Sequence, residues 1–285
     1  MVSGTLVLLS IFSIGVFGLK PGIDFTGGSL WQIKFLEKEI NKEELSNFVK
    51  TKLELTDAIV IPQAENNFLI RSKEVDEVGH QKNLATLNNN LGKVEELRFE
   101  TIGPSIGQEL RNKAITAFIL VLFSISVYVA FAFRKVSHPV SSWKYGIVTL
   151  ISLFHDAIIP TGMIALFGRL FGVEIDTSFI VAILVVIGFS VHDTIVVFDR
   201  IRENLRTKDA SKTDFSTLVN NSVNQTMVRS INTSLTLVLV LLGILFFGAL
   251  SLKYFVLVIL VGTIVGTYSS IFVASPLLVL WKTKY

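Results

Sequence analysis

The sequence predicts an α-helical polytopic membrane protein with six transmembrane helices and one extracytoplasmic α+β domain between the first two. Three observations predict it. Hydrophobic residues make up 51% of the chain and charged ones only 17%, against about a quarter in a soluble domain. The apolar residues gather into runs near the roughly 20 residues that cross a bilayer. Charge is segregated: Lys20 to Lys113 holds 13 Lys/Arg and 15 Asp/Glu, while the remainder keeps its charges in short clusters between runs.

The predicted spans are Val2–Leu19, Ala114–Phe133, Gly146–Phe167, Ser178–Phe198, Ile231–Leu250 and Phe255–Trp281. They divide the chain into a first transmembrane helix (1–20), the extracytoplasmic domain (21–113) and a five-helix bundle (114–285). The first run has no basic region before it and Lys-Pro-Gly-Ile-Asp follows it directly, so it reads as an uncleaved anchor. Segments 134–145 and 199–229 and the tail after Trp281 hold 11 Lys/Arg, whereas 168–177 and 251–254 hold two. The positive-inside bias therefore predicts both termini in the cytoplasm, with Lys208 and Lys212, and residues 20–113 outside. The pI near 9.0 comes from these flanking loops and does not indicate nucleic-acid binding. No cysteine is present, which excludes disulfides and thiolate metal sites.

Within the extracytoplasmic domain, Ser29–Phe35 alternates like a half-buried strand, and Leu45, Phe48 and Val49 fall at helical spacing in 42–52. Ala58–Ile61 and Phe68–Arg71 flank Pro62 and Asn66-Asn67 as a hairpin. Val75–Leu91 reads as a polar-rich helix and Val94–Ile102 as a closing strand. The order β-α-β-β-α-β predicts a ferredoxin-like domain, two helices on one face of an antiparallel sheet. His80, alone in the polar helix, reads as solvated, and the domain as a binding or docking module. Glycine-rich segments flank it: Gly22-Ile-Asp-Phe-Thr-Gly27-Gly28 before, and Gly103-Pro104-Ser-Ile-Gly107 after. They read either as tight exits from the membrane or as a hinge set formed by Gly22, Gly27, Gly28, Gly103, Pro104 and Gly107.

Polar groups inside the apolar runs carry the functional reading. His155 and Asp156 lie mid-way along the third span, His192 and Asp193 toward the cytoplasmic end of the fourth, and Arg229 at the mouth of the fifth. Each ionisable group costs about 2.5–3.5 kcal/mol to insert, so such groups are rarely idle. Asn232, Thr233, Ser234 and Thr236 read instead as interhelical hydrogen bonds, worth about 0.6 kcal/mol each. A carboxylate alternating between an arginine partner and a proton is a physical switch, so these five residues form a candidate proton relay. Enzymatic chemistry is not expected: H-E-x-x-H and the nucleotide-binding P-loop are missing, and the one G-x-S-x-G match, Gly103-Pro-Ser-Ile-Gly107, stands in a glycine-rich flank with no catalytic constellation around it in the sequence.

The chain resembles the SecD/SecF family of bacterial protein-export membrane subunits, and within it the SecF proteins. The matching residues are Gly22-Ile-Asp-Phe-Thr-Gly-Gly28, Ile102-Gly-Pro-Ser-Ile-Gly-Gln-Glu-Leu110, His155-Asp156, Asp193-Thr-Ile-Val-Val-Phe-Asp-Arg-Ile-Arg-Glu-Asn204 and Arg229-Ser-Ile-Asn-Thr-Ser-Leu-Thr236. The resemblance implies a multi-pass protein of the bacterial cytoplasmic membrane, in the resistance-nodulation-division superfamily. It implies a subunit that assists export with the proton motive force. Its implied partners are a SecD-like subunit, a SecYEG-type channel, the translocating preprotein, protons and membrane lipid, with no cofactor. It also implies proton conduction through Asp193 and Arg229. The family more often has Asn where this chain has His192, and a short basic segment before the first span. The alternative reading is a proton-driven exporter half for small or lipid substrates.

Overall fold

A computed structural model describes residues 2–63, 66–134, 140–207 and 213–282. Lys208 and Lys212 lie outside the described residues. The chain forms two compact units, Pro21–Ala114 and the union of Met1–Lys20 with Ile115–Tyr285.

Helix α1 (Val2–Phe17) belongs to the larger unit, and the smaller unit opens with the short helix α2 (Ile23–Thr26). Strands β1 (Gly28–Phe35), β2 (Ile59–Pro62), β3 (Asn67–Ser72) and β4 (Val94–Ile102) pair antiparallel in the order β2-β3-β1-β4. Alternation along β1 puts Trp31, Ile33 and Phe35 on the buried face. Helix α3 (Lys42–Thr51) starts at Asn41, which accepts from the Glu44 amide at 2.7 Å. Helix α4 (Glu77–Leu91) starts at Asp76, which accepts from Gly79 at 2.9 Å. Both are side-chain N-caps. Leu45, Val49 and Leu87 bury into one core with the β1 residues.

His80 departs from its expected place in solvent. It is 3% exposed, stacked on Phe99 at 3.7 Å and edge-on to Trp31 at 5.3 Å. Its Nε2 lies 2.7 Å from Glu96 Oε2, which also accepts from Trp31 Nε1 at 3.1 Å. The cause is helical register: positions 80, 84, 87 and 91 follow the i, i+4, i+7, i+11 stripe that faces the sheet.

Among the described residues, α5 (Pro104–Ala132, in the larger unit from Ile115 on), α6 (Ser142–Phe171), α7 (Thr177–Leu205), α8 (Phe215–Phe247) and the run Lys253–Leu280 are the five helices long and apolar enough to cross a membrane. Helix α1 has 16 residues, about 24 Å at 1.5 Å per residue, and falls short of the roughly 30 Å hydrocarbon core. Two helices begin well before their apolar runs. Helix α5 starts at Pro104 rather than Ala114, since proline suits a first helical position. Helix α8 starts at Phe215 rather than Ile231 because Asp214 caps it. Helix α6 ends at Gly172 in the left-handed region (φ 71°), and α7 starts at Asp176, which accepts from Phe179 at 2.8 Å. The last span is three pieces: α9 (Lys253–Ser269), a π-helical turn (Ser270–Ala274) and α10 (Ser275–Leu280), which carries Pro276 in its first turn.

Two apolar clusters hold this unit together. One contains Phe133 stacked on Tyr145 at 5.0 Å, with Phe198, Ile201, Phe215, Ile271 and Leu278. The other contains Leu153, Ala157, Ile183, Ile187, Leu241 and Ile259. On α7 the buried Ser190, Asp193 and Thr194 fall in sequence between Ile187 of the second cluster and Val197 of the first, and on α8 Thr226, Ser230 and Ser234 fall between Val223 of the first and Leu241 of the second. On α6 His155 and Asp156 lie between Leu153 and Ala157 of the second cluster. Along α7 and α8 the order is therefore apolar, polar, apolar.

Candidate functional site

Close approach of α7 and α9 builds the polar layer. Gly262 and Gly266, one turn apart on α9, face Val186 and Ser190 on α7. A Cβ at Gly266 would lie 2.9 Å from that of Ser190, and one at Gly262 would overlap Val186. This is small-xxx-small packing, which lets helix backbones approach closely. It sets Ser190 and Asp193 of α7 against Thr267 and Ser269 of α9.

Asp156 on α6 is 0% exposed. Its Oδ2 accepts from the Ser190 hydroxyl and from Ser269 Oγ at 2.8 Å, and its Oδ1 lies 2.8 Å from His155 Nδ1. Ser152 adds a hydrogen bond to Ser269 at 3.1 Å. Pro160 has no amide hydrogen, so the backbone carbonyl of Asp156 loses its helical partner at this level. With Asp156 accepting, His155 carries its proton on Nδ1, and its Nε2 meets Ser3 Oγ of α1 at 2.5 Å. A hydroxyl either donates or accepts, so both the neutral and the charged imidazole keep two hydrogen bonds here.

Asp193 is 2% exposed. It accepts from Thr267 Oγ1 at 3.2 Å, and Thr267 meets Ser234 Oγ of α8 at 2.5 Å. The hydroxyls of Thr194, Ser230 and Thr263 are buried with no hydrogen-bond partner among the described residues, leaving the layer with polar capacity to spare. The structure thus gathers His155, Asp156 and Asp193 into one layer. It leaves His192 and Arg229 on exposed faces of α7 and α8, and no ion pair joins Asp193 to Arg229 among the described residues.

Ser190, Thr267, Ser269, Ser152 and Ser3 escape sequence reading, because isolated hydroxyls are ordinary in apolar helices. The signal that could have found them is Gly262-x-x-x-Gly266 followed at once by Thr267, Ser269 and Ser270. Of the glycine-rich segments, Gly27 (φ 73°) and Gly28 (φ 117°) occupy backbone regions that favour glycine. A Cβ at Gly27 would lie 2.6 Å from Pro104 Cα, and one at Gly107 would lie 2.7 Å from Gly27 N. The two segments are packed as one junction in the smaller unit. Gly103 has room beside Glu74, and Gly22 stands before α2 in extended conformation.

A bundle of long apolar helices that buries two carboxylates among hydroxyls defines a polytopic membrane protein with titratable groups stored in its interior. Residues 82–284 match the family model for the C-terminal region of SecD/SecF protein export membrane proteins, and residues 12–35 match the SecD/SecF GG motif. The chain belongs to the SecD/SecF family. It is 45% identical to protein translocase subunit SecF of Thermobaculum terrenum, over 100% of this chain and 89% of that one. It is 38% identical to the SecF of Anaerolinea thermophila, over 99% and 91%. The crystal structure of SecDF from Thermus thermophilus, described as translocon-associated, superposes with a TM-score of 0.84 at 34% identity over 98% of this chain. This chain spans 37% of that SecDF chain.

Proposed function

We propose that this chain is the SecF-type subunit of a bacterial protein translocase, using the proton motive force to assist export across the cytoplasmic membrane. It acts as a coupling subunit rather than an enzyme. The observation that carries the reading is the burial of Asp156 and Asp193, with Asp193 set between the two apolar clusters along α7 and Asp156 embedded beside the second. Protons can reach such buried groups only when one apolar cluster opens, so occupancy of the carboxylates is tied to bundle conformation. Those clusters give the bundle two closed faces that can open in turn, as an alternating-access device of the resistance-nodulation-division kind requires.

In this reading α1 completes six spans, with its ends adjusted to the bilayer by tilt or local thinning. The β-α-β-β-α-β order and the sheet order β2-β3-β1-β4 support a ferredoxin-like domain, outside the cytoplasm by the basic-residue bias. His192 and Arg229, exposed on this chain alone, face a SecD-like partner, since lipid would not tolerate them there. That partner and a SecYEG-type channel complete the machine, with the translocating preprotein as substrate. The test is an Asp193→Asn strain, which keeps shape and hydrogen-bonding capacity but not titration. Export should lose its acceleration by the proton motive force while the variant still co-purifies with its partners. Normal acceleration in the variant overturns the proton reading. Sensitivity of a deletion strain to toxic compounds, with export unchanged, would favour the exporter alternative.

A further inference from the structure

The hydroxyl chain from Asp193 to α8 has fewer protons than contacts. Four contacts meet there: Asp193 Oδ2 to Thr267 Oγ1 at 3.2 Å, Thr267 to Ser234 Oγ at 2.5 Å, Thr267 to the Thr263 carbonyl at 3.0 Å, and Ser234 to the Ser230 carbonyl at 2.5 Å. Thr267 and Ser234 each carry one hydroxyl hydrogen. When Asp193 is ionised it is acceptor-only, so Thr267 must donate to it. The short Thr267–Ser234 contact then requires Ser234 to donate to Thr267, and the Ser230 carbonyl loses its side-chain donor. When Asp193 carries a proton, it donates to Thr267, Thr267 donates to Ser234, and Ser234 donates to the Ser230 carbonyl. The whole chain points the other way.

We propose that Thr267 and Ser234 are positioning residues that read the protonation state of Asp193 and pass it from α7 through α9 to α8 by reversing hydroxyl direction. The proposal rests on the proton reading of the site and deepens it. The only covalent change is the O–H bond made or broken at Asp193; both hydroxyls merely rotate. The receiving end is Ser230 on α8, next in sequence to Arg229, so the signal arrives beside the cation that the resemblance pairs with Asp193. Other ionisable groups near the chain are few. They are His192, on the exposed side of α7, Arg229, on the exposed side of α8, and Asp156 with His155 on α6, tied to the same seam through Ser190 and Ser269. On α9 the ionisable neighbour of Thr267 is Tyr268, whose ring is exposed and packs on Phe272, while Lys253 stands at the far end.

The experiment uses the full chain with its partner subunit in membrane vesicles, in wild type, Thr267→Val, Thr267→Ser and Ser234→Ala. Two readouts are taken. One is export rate with and without a proton gradient. The other is the infrared carboxyl band of protonated Asp193 as pH is varied, assigned by its disappearance in Asp193→Asn. Thr267→Val should cut gradient-driven acceleration about tenfold, the factor carried by roughly 1.5 kcal/mol for a hydrogen bond to a charged group. It should also move the Asp193 band to the position of a free carboxyl. Thr267→Ser restores both, and Ser234→Ala loses acceleration while keeping the band displacement small. A titrating Asp193 band that Thr267→Val leaves in place, with acceleration intact, overturns the relay alone. A band that never titrates in wild type overturns both the relay and the proton reading beneath it.

Discussion

Asp156 and Asp193 differ in what surrounds them, and that sets what each substitution does. Asp156 receives three hydrogen bonds, from Ser190, Ser269 and His155, whereas Asp193 receives one from Thr267. An amide at position 156 would turn its NH2 toward groups that already donate. Asp156→Asn should therefore destabilise the bundle by about 1–3 kcal/mol, and Asp193→Asn by much less. Denaturant unfolding in detergent, followed by tryptophan fluorescence, separates the two. Equal losses would contradict the geometry. In the smaller unit, His80→Ala removes a ring from between Phe99 and Trp31 and leaves Glu96 one donor short. It should cost roughly 2–4 kcal/mol, where a solvated histidine would change stability by no more than about 0.5. The carboxylates themselves are legible in the sequence because charge stands out in an apolar run. Which helix face they occupy is not, since a uniformly apolar helix has no polar side to fix its rotation. For the same reason the exposed positions of His192 and Arg229 needed coordinates.

At the scale of elements, glycines in the bundle divide by what they touch. Gly188 on α7 has nothing within 4 Å of an added Cβ, while Gly262 would meet Val186 head-on. Gly188→Ala should be neutral or stabilise by up to about 1 kcal/mol through helix propensity. Gly262→Ala should lower the unfolding midpoint and push α7 from α9, breaking the Ser190–Asp156 contact. Comparing melting of the two purified variants checks this; similar melting would mean that α7 and α9 are not packed at Gly262. The amino end of α8 supplies a pH test. Asp214 caps it, and its carboxyl is held well below the usual carboxylate range, first by the Ser216 hydroxyl and then by Lys282 Nζ at 2.9 Å. A depressed folded value means the contribution is complete above the unfolded value of about 3.9 and is lost as pH falls beneath it. Proteolytic nicking near Phe215 should thus stay constant from about pH 5 to 8 and rise only below about pH 3. A rise between about pH 5 and 7 would contradict the cap. Elements proved readable where periodicity or turn residues marked them, as for α3 by its apolar spacing and the hairpin around Asn66-Asn67. They proved unreadable where a helix continues past its apolar run, as α5 and α8 do. Hydropathy sees the part that meets lipid and says nothing of the helical turns beyond it.

The molecule as a whole joins a unit that builds its own core to one that buries titratable groups among apolar helices. The smaller unit buries Trp31, Ile33, Leu45, Val49, Ile70 and Leu87 without help from the bundle clusters. Residues 24–104 expressed alone should fold as a soluble α+β domain with a cooperative melt, although its size makes it only modestly stable. A melt without cooperativity would tie its stability to the rest of the chain. Orientation is tested by cysteines placed at Lys208 and Lys212, which should be shielded from an impermeant thiol reagent outside intact cells; the chain's lack of cysteine keeps the background clean. A gradient supplies about 2.3 kcal/mol per proton for each 100 mV, enough to bias a two-state bundle roughly fifty-fold. That energy is useful only if protons pass through the buried layer. The most direct measurement is proton entry into liposomes holding this chain with its partner subunit, read by an internal pH dye under an imposed gradient. Wild-type vesicles should acidify, and vesicles with Asp193→Asn at equal protein content should acidify no faster than empty ones. Equal proton entry in wild type and Asp193→Asn would contradict the account.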